Sequence, residues 1–370
     1  MVLTRFGRLL VGLSALLLAG CSGRQPPAGA LGAAPEAVTV LASLPSVPET
    51  EDAREAFRRA CPALLKRTDR SGLTRPEDWA APCADTGPGL FGRHFRAVRL
   101  GDGTGLVTGY YEPEIAAFRD ARPGAVPVLG VPPDLVEIAL GDFLADLQGR
   151  TIRGRWDGGR FRPYFTRAEI EDGALSGHAP VLAHADPIDL FFLQIQGSGR
   201  LRFPDGTVER LGYAGQNGHA YVAIGRLIRE RGLHPKPGMA EIRDYLAANP
   251  EAGRALMREN PSYVFFARRD ANTDGPLGSL GVPLLPRANV AADPAVMPLG
   301  APVWLRTEVD GTRFEAVMVA SDTGGAIRGA NRFDIFFGSG AEAERVAGAL
   351  SSRGEALILL PKAAAARLAP

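Results

Sequence analysis

The sequence has 370 residues, 45 of them glycine and 30 proline, and 45% are hydrophobic. Ordinary usage is about 7% Gly and about 5% Pro, so the excess of turn formers excludes a helical bundle or coiled coil and predicts short strands joined by many turns. Lysine plus arginine number 42 and aspartate plus glutamate 41, a net charge of +1, which excludes the electrostatic footprint of a nucleic-acid binder.

The length suits one large domain or two moderate ones. Residues 1–8 form a short basic segment, and Leu9 to Ala19 an apolar one too short to span a bilayer as a mature helix. That is the pattern of a cleaved signal peptide over residues 1–20. Leu18-Ala19-Gly20-Cys21 resembles the bacterial lipobox, so Cys21 is the expected lipidation site; an ordinary signal with a coincidental Cys is the alternative. Each buried methylene of an acyl chain adds about 0.8 kcal/mol of membrane affinity. Ser22 after the Cys is similar to the outer-membrane sorting choice of Gram-negative lipoproteins, which predicts a periplasmic, lipid-anchored protein. Residues 21–50, rich in Ala, Pro and Gly, read as a flexible tether.

A helix is expected from Glu51 through Ala60, with Thr50 before it and an interruption near Pro62. Cys61 and Cys83 lie 22 positions apart; an exported chain leaves open a disulfide between them, stabilising by about 3 kcal/mol. Three Cys and five His without paired ligand spacing predict no metal, and no cofactor is expected. Phe95 to Leu100 and Thr104 to Tyr111 flank Gly101-Asp102-Gly103 and read as a hairpin.

From about 113 to 257 short strands and turns alternate. Thr166-Arg-Ala-Glu169 is a capping box, and Pro204-Asp205-Gly206 is the turn of another hairpin. Asp186 and Asp189 read as helix-starting residues. Asn217 to Arg231 gives the clearest helix signal, with Gly232 as its stop and His219 in a structural role near its start. Helices over Met239–Ala247 and Glu251–Glu259 follow. The last third is strand-rich: Ser262–Ala267, Leu280–Leu285, a hairpin about Asp310-Gly311, a helix over Ala341–Leu350 and a strand over Glu355–Leu360. Two β-rich segments thus bracket a middle block, which points to a barrel-like domain made from both ends of the chain with a second domain inserted.

The chemistry concentrates in residues 316–338. Two apolar strands flank a loop carrying Gly324, Gly325 and Gly329; Asp322 ends the first strand and Asp334 sits inside the second. Alternation puts Asp334 on one face with Phe336, opposite Phe333 and Ile335. A carboxyl in such company is desolvated, its pKa rises, and a protonated carboxyl near neutral pH is what a general acid needs. The glycines would let a polymer approach the backbone closely. The competing structural reading has Asp322 capping its own turn and Asp334 pairing with Arg332 or Arg328. A third carboxylate, Asp293, opens Asp293-Pro-Ala-Val-Met-Pro-Leu-Gly300.

These three blocks, Asp293 to Gly300, Asp322 to Gly329 and Phe333 to Gly338, resemble the three-aspartate ("3D") domain of proteins acting on bacterial cell wall. Thr108-Gly-Tyr-Tyr-Glu-Pro113, Leu193-Gln-Ile-Gln-Gly-Ser-Gly-Arg200 and Gly212-Tyr-Ala-Gly-Gln-Asn-Gly218 extend the resemblance to the membrane-bound lytic murein transglycosylase A family, over about residues 90–360. The resemblance implies a mainly β fold with minor α: a double-psi β-barrel catalytic domain (51–112 plus 258–370), a smaller inserted β-rich domain (113–257) and a groove between them for a glycan strand. It implies a lyase that breaks the β-1,4 bond between N-acetylmuramic acid and N-acetylglucosamine without water, leaving 1,6-anhydro ends. Asp334 would be the catalytic aspartate, Asp322 its support and Asp293 structural.

Substrate contacts implied by the remaining motifs are Thr108, Gly109 and Tyr110, as hydroxyl, bare backbone and stacking ring, with an ordinary hairpin strand as the alternative. Gln194, Gln196, Ser198 and Gly199 would meet acetamido groups or form a solvated strand face. Gly324 and Gly325 would line the loop, and Glu112 and Glu114 would face the groove or form a charged edge. The expected partners are peptidoglycan strands and, through the lipid, the membrane, for a monomer with room for cell-wall enzyme complexes. A hydrolytic muramidase with two working carboxylates and a non-catalytic glycan-binding lipoprotein are the alternatives.

Overall fold

In chain order the strands are β1 Val38–Val40, β2 Phe95–Leu100, β3 Thr104–Glu112, β4 Glu114–Phe118, β5 Val126–Leu129, β6 Val136–Ala139, β7 Thr151–Asp157, β8 Arg160–Pro163 and β9 Val181–Ala185. They continue with β10 Gly199–Arg202, β11 Val208–Gln216, β12 Val264–Arg269, β13 Asn289–Ala291, β14 Pro302–Val309, β15 Thr312–Asp322, β16 Phe333–Ser339 and β17 Ser351–Pro361. This computed structural model describes residues 37–45, 49–148, 150–270 and 274–368. The expected signal peptide, Cys21 and most of the tether lie outside the described residues.

The strands form three sheets. The first runs β1-β2-β17-β14-β15-β13-β16-β3, and β3 returns to pair with β17, so six of its strands close into a barrel. The fold is mainly β, as expected. β17 is long enough to serve two partners along one edge: Ile358–Pro361 pair with β2, and Ser351–Glu355 pair with β3. The main core collects Val107, Val290, Leu305, Met318, Ile335 and Ile358 from the barrel strands. Helix Glu51–Leu64 packs Phe57 against Trp79, Phe91 and Phe95 in the same core. Cys61 and Cys83 are disulfide-bonded, with Cα atoms 5.6 Å apart, which ties this helix to helix Ala80–Ala84.

The second sheet runs β12-β11-β10-β4-β9-β5, and a small third one β6-β7-β8. Helix Pro187–Gln196 packs Leu190 and Leu193 against the second sheet, while its Phe191 and Phe192 meet Ile228, Leu246 and Leu256 of the following helices.

Several local expectations are met. Thr50 caps the first helix and Thr166 with Glu169 closes a capping box. Asp186 caps its helix by accepting from the amides of Ile188 and Asp189. The hairpin between β14 and β15 turns on Asp310 and Gly311, both at positive φ, and β10 with β11 forms the second predicted hairpin.

Others are corrected. Gly101–Gly103 do not join a hairpin: β2 and β3 follow one another along β17 instead of pairing together. The helix expected over Asn217–Arg231 is confined to Ile224–Glu230. Buried Asn217 donates to the carbonyls of Phe165 and Pro261 and accepts from the Tyr263 amide, and His219 meets the Tyr164 carbonyl; these long-range bonds pull 217–223 out of helical geometry. Pro62 does not interrupt the first helix, which runs on to Leu64. Leu280–Leu285 is no strand, contributing only to a bridge between Leu277 and Pro283. Within the expected tether, β-branched Val38-Thr39-Val40 pair with β2, and Glu49 accepts from the amides of Gly89 and Phe91. β12, expected on the barrel side of residue 258, belongs to the second sheet through β11.

Candidate active site

Register alone brings the two loop-flanking aspartates together. Ala291 of β13 pairs with Asp322 of β15 on one side and with Asp334 of β16 on the other, and Asp334 in turn pairs with Thr108 of β3. Adjacent strands lie about 4.8 Å apart, so the carboxylate-bearing residues are two strand spacings apart with the smallest side-chain residue between them. Alternation places Phe333 and Ile335 in the main core, whereas Phe336 joins Tyr110, Ala291, Leu284 and Ile327 in a small separate cluster. Asp334 shares the Phe336 face, away from the main core and beside this apolar cap.

The two carboxyls have different surroundings. Asp334 accepts one hydrogen bond, from Thr108 Oγ1 at 2.7 Å. Burial pushes its pKa up to about 6; the Thr108 bond and the positive charge of Arg332 oppose part of the rise, and the Asp322 charge adds to it. Asp322 accepts four. Its Oδ1 receives Ser279 N at 2.8 Å, Ser279 Oγ at 2.7 Å and Thr323 N at 2.8 Å, and its Oδ2 receives Tyr110 Oη at 3.0 Å. Burial raises the Asp322 pKa too, but these four donors all favour its ionised form. Burial and the Asp322 charge drive the Tyr110 phenol far above its ordinary pKa, so it stays a donor.

Asp293 anchors the glycine loop. Its buried carboxylate accepts from Ala295 N at 3.0 Å and from Gly329 N at 2.8 Å, and Arg328 lies 3.7 Å away. Gly329 has φ 87°, the left-handed conformation in which glycine is unstrained. Arg328 therefore pairs with Asp293, and the Arg332 guanidinium donates to the carbonyls of Leu106 and Phe333.

Not every expected contact residue presents itself to a ligand. The Tyr110 ring is buried against Phe336, with centroids 5.2 Å apart, so it is not a free stacking platform. A side chain at Gly109 would meet Ala347 Cα and the Phe337 ring at 2.8 Å: its bare Cα serves the packing of helix Ala341–Ala349. Gly199 is likewise filled by Leu193 and the Pro113 carbonyl. Gln194 and Gln196 lie on a helix, not a strand; buried Gln194 donates to the Val264 carbonyl, and Gln196 accepts from the Tyr111 amide at 3.2 Å. Ser198 is half-buried between that helix and β10. In the loop, Ile327 lies over Gly324, whereas the space beside Gly325 is open. Glu112, expected at a groove or edge, is 1% exposed and paired with Arg200 and Arg210; Glu114 pairs with Arg202.

Sequence reasoning passed over Ser279, which supplies two of the four bonds to Asp322, because a lone serine among Gly and Pro residues carries no period or spacing. Among the described residues, no group of three His, Cys, Asp or Glu could hold a metal ion, and no helix is long and apolar enough to cross a membrane.

Residues 106–267 match the model of the MltA specific insert domain, and residues 288–360 that of the 3D domain. A membrane-bound lytic murein transglycosylase A of Vibrio cholerae is 42% identical over 196 residues, 50% of this chain and 52% of that protein, so the matched stretch spans about half of that relative. The structure of MltA from Neisseria gonorrhoeae superposes with a TM-score of 0.69 at 34% identity, covering 91% of this chain and 94% of that one. Escherichia coli MltA with bound chitohexaose gives a TM-score of 0.65 at 26% identity, covering 88% and 94%. The chain belongs to the membrane-bound lytic murein transglycosylase A family.

Proposed function

We propose that this chain is a peptidoglycan lytic transglycosylase in which Asp334 acts first as acid and then as base. The observation that carries the reading is the desolvated, singly hydrogen-bonded carboxyl of Asp334 beside an Asp322 that accepts four hydrogen bonds. Protonated Asp334 donates to the glycosidic oxygen, the bond from that oxygen to C1 of N-acetylmuramic acid breaks, and positive charge develops at C1. The muramic C6 hydroxyl then attacks C1 while its proton passes to the Asp334 carboxylate, which restores the acid and closes the 1,6-anhydro ring. Holding that hydroxyl near C1 replaces a bimolecular attack, so geometry supplies much of the rate. One carboxyl performs both transfers, unlike the paired carboxylates of most glycosidases.

The four donors on Asp322 disfavour the hydrolytic alternative, since hydrogen bonds to its ionised form lower its basicity and make it a weaker base toward water. Its negative charge is suited to the developing positive charge at C1. The substrate class, a β-1,4-linked strand of N-acetylated sugars, draws support from the chitohexaose held by the E. coli relative. In this reading the barrel is the catalytic domain, and the second and third sheets form the other wall of the glycan groove. The lipobox-like Leu18–Cys21 and the membrane-bound naming of the relatives support anchoring through Cys21 at the periplasmic face of the outer membrane.

Mass spectrometry of the fragments released from murein sacculi tests the reaction. Anhydromuramic ends are expected; reducing muramic ends would replace this reading with a muramidase.

A further inference from the structure

The end of β3 carries a buried charge cluster that the chemistry above does not use. Glu112, the last residue of β3, is 1% exposed. Its Oε2 accepts from Arg200 Nε of β10 at 3.0 Å, and its Oε1 lies 2.8 Å from Arg210 Nε of β11. Arg200 and Arg210 are direct cross-strand partners, and Arg210 is 4% exposed. Two like charges opposite one another in an antiparallel pair repel, so this hairpin tolerates its arginines because one carboxylate from a different sheet lies between them. Removing that carboxylate takes a compensating charge away from both arginines at once.

Short lengths of backbone connect the cluster to the donors of both aspartates. On β3, Glu112 follows Tyr110, the donor to Asp322, and Thr108, the donor to Asp334. Arg210 also donates to the Gly275 carbonyl at 3.2 Å, at the head of the loop whose Ser279 supplies two bonds to Asp322.

We propose that Glu112 is a positioning residue: by clamping Arg200 and Arg210 it fixes the second sheet against β3 and so sets where a bound glycan lies relative to Asp334. The inference rests on the transglycosylase reading. It follows that loss of the clamp misplaces a strand that still binds. A misplacement of about 1 Å costs up to about a hundredfold in turnover without a matching loss of affinity.

The test compares the parent protein with Glu112→Gln and Arg200→Gln. Thermal unfolding is followed together with kcat, KM and the pH profile of anhydromuropeptide release from sacculi. Folded Glu112→Gln is expected to lose about tenfold or more in kcat, with KM changed less than about threefold and the pH midpoint unmoved. Arg200→Gln, which leaves Glu112 with Arg210, is expected to show a smaller loss of the same kind.

A folded Glu112→Gln with the parent's kcat would overturn the proposal, as would a kcat loss accompanied by a shifted pH midpoint, which would mean that Glu112 acts on the charge of Asp334. If Glu112→Gln does not fold, Arg200→Gln decides: a lower kcat at an unchanged pH midpoint supports positioning, and full activity overturns it. A parent that releases no anhydro product would instead defeat the transglycosylase reading, a result visible before any variant is made.

Discussion

Asp322 and Asp334 flank the same alanine in the same sheet, yet the chain treats them in opposite ways. Asp322 receives four hydrogen bonds from three residues, while Asp334 receives one. Both carboxyls are drawn out of water, and both pKa values rise as a result. The donors, not the burial, separate them: Asp322 organises Ser279, Thr323 and Tyr110, and Asp334, with Thr108 as its donor, keeps more acceptor capacity. In the proposed mechanism two carboxyls so close, with such unequal partners, divide the labour of scaffold and proton carrier.

Removing each acid in turn should give effects of different kind. Asp334→Asn is expected to lower turnover on sacculi by about 10²–10⁴-fold, the usual contribution of a proton-transferring group. The same substitution should stabilise the protein at pH 7. A carboxyl whose pKa goes from 3.8 unfolded to about 6 folded penalises the native state above both values, and that penalty vanishes below about pH 4. Allowing for solvent screening of a half-buried group, the gain is about 1–2 kcal/mol at pH 7 and none at pH 3.5, read from chemical denaturation at the two pH values. Asp322→Ala should do the reverse, lowering stability by about 3 kcal/mol because several donors lose their acceptor together. An Asp322→Ala protein as stable as its parent would erase the proposed contrast.

Smaller changes sharpen it. A strand glycine and a loop glycine differ as the two aspartates do: a methyl group at Gly109 of β3 meets Ala347 and Phe337 at 2.8 Å, whereas one at Gly325 in the loop between β15 and β16 meets nothing within 4 Å. Gly109→Ala should cost about 1–3 kcal/mol of stability through overpacking, and Gly325→Ala should stay within about 0.5 kcal/mol of the parent. Thr108→Val removes the one bond that favours ionised Asp334, so the alkaline limb of the pH–rate profile should move upward by less than about one pH unit. A downward movement would show that Thr108 does not hold the carboxylate.

What could be read in advance was local. Asp322, Asp334 and the glycine loop stand within one strand-loop-strand segment, and alternation along β16 was enough to set Asp334 apart from Phe333 and Ile335. The turns at Asp310-Gly311 and Pro204-Asp205-Gly206 carry their own backbone requirements, and both hairpins formed. Misreadings arose where distant partners decide. Gly101–Gly103 look like a hairpin turn, but β17, some 250 positions away, captures both flanking strands. Asn217 looks like a helix cap, but its amide is spent on Phe165 and Pro261. Gln194 and Gln196 alternate as strand residues do, yet the apolar run before them packs as a helix between two cores. The Glu112 cluster shows the same limit: the sequence displays a glutamate and two arginines, and only the pairing of β10 with β11 reveals that one carboxylate separates two facing cations.

The proposed proton-carrying role of Asp334 is open to direct observation. Carboxyl carbon NMR on the aspartate-labelled protein, with the Asp334 signal assigned by its loss in Asp334→Asn, follows that single group through pH. The predicted midpoint is near 6, coincident with the alkaline fall in turnover. A midpoint near the ordinary aspartate value of about 3.9 would leave Asp334 ionised at working pH and contradict its role as the acid.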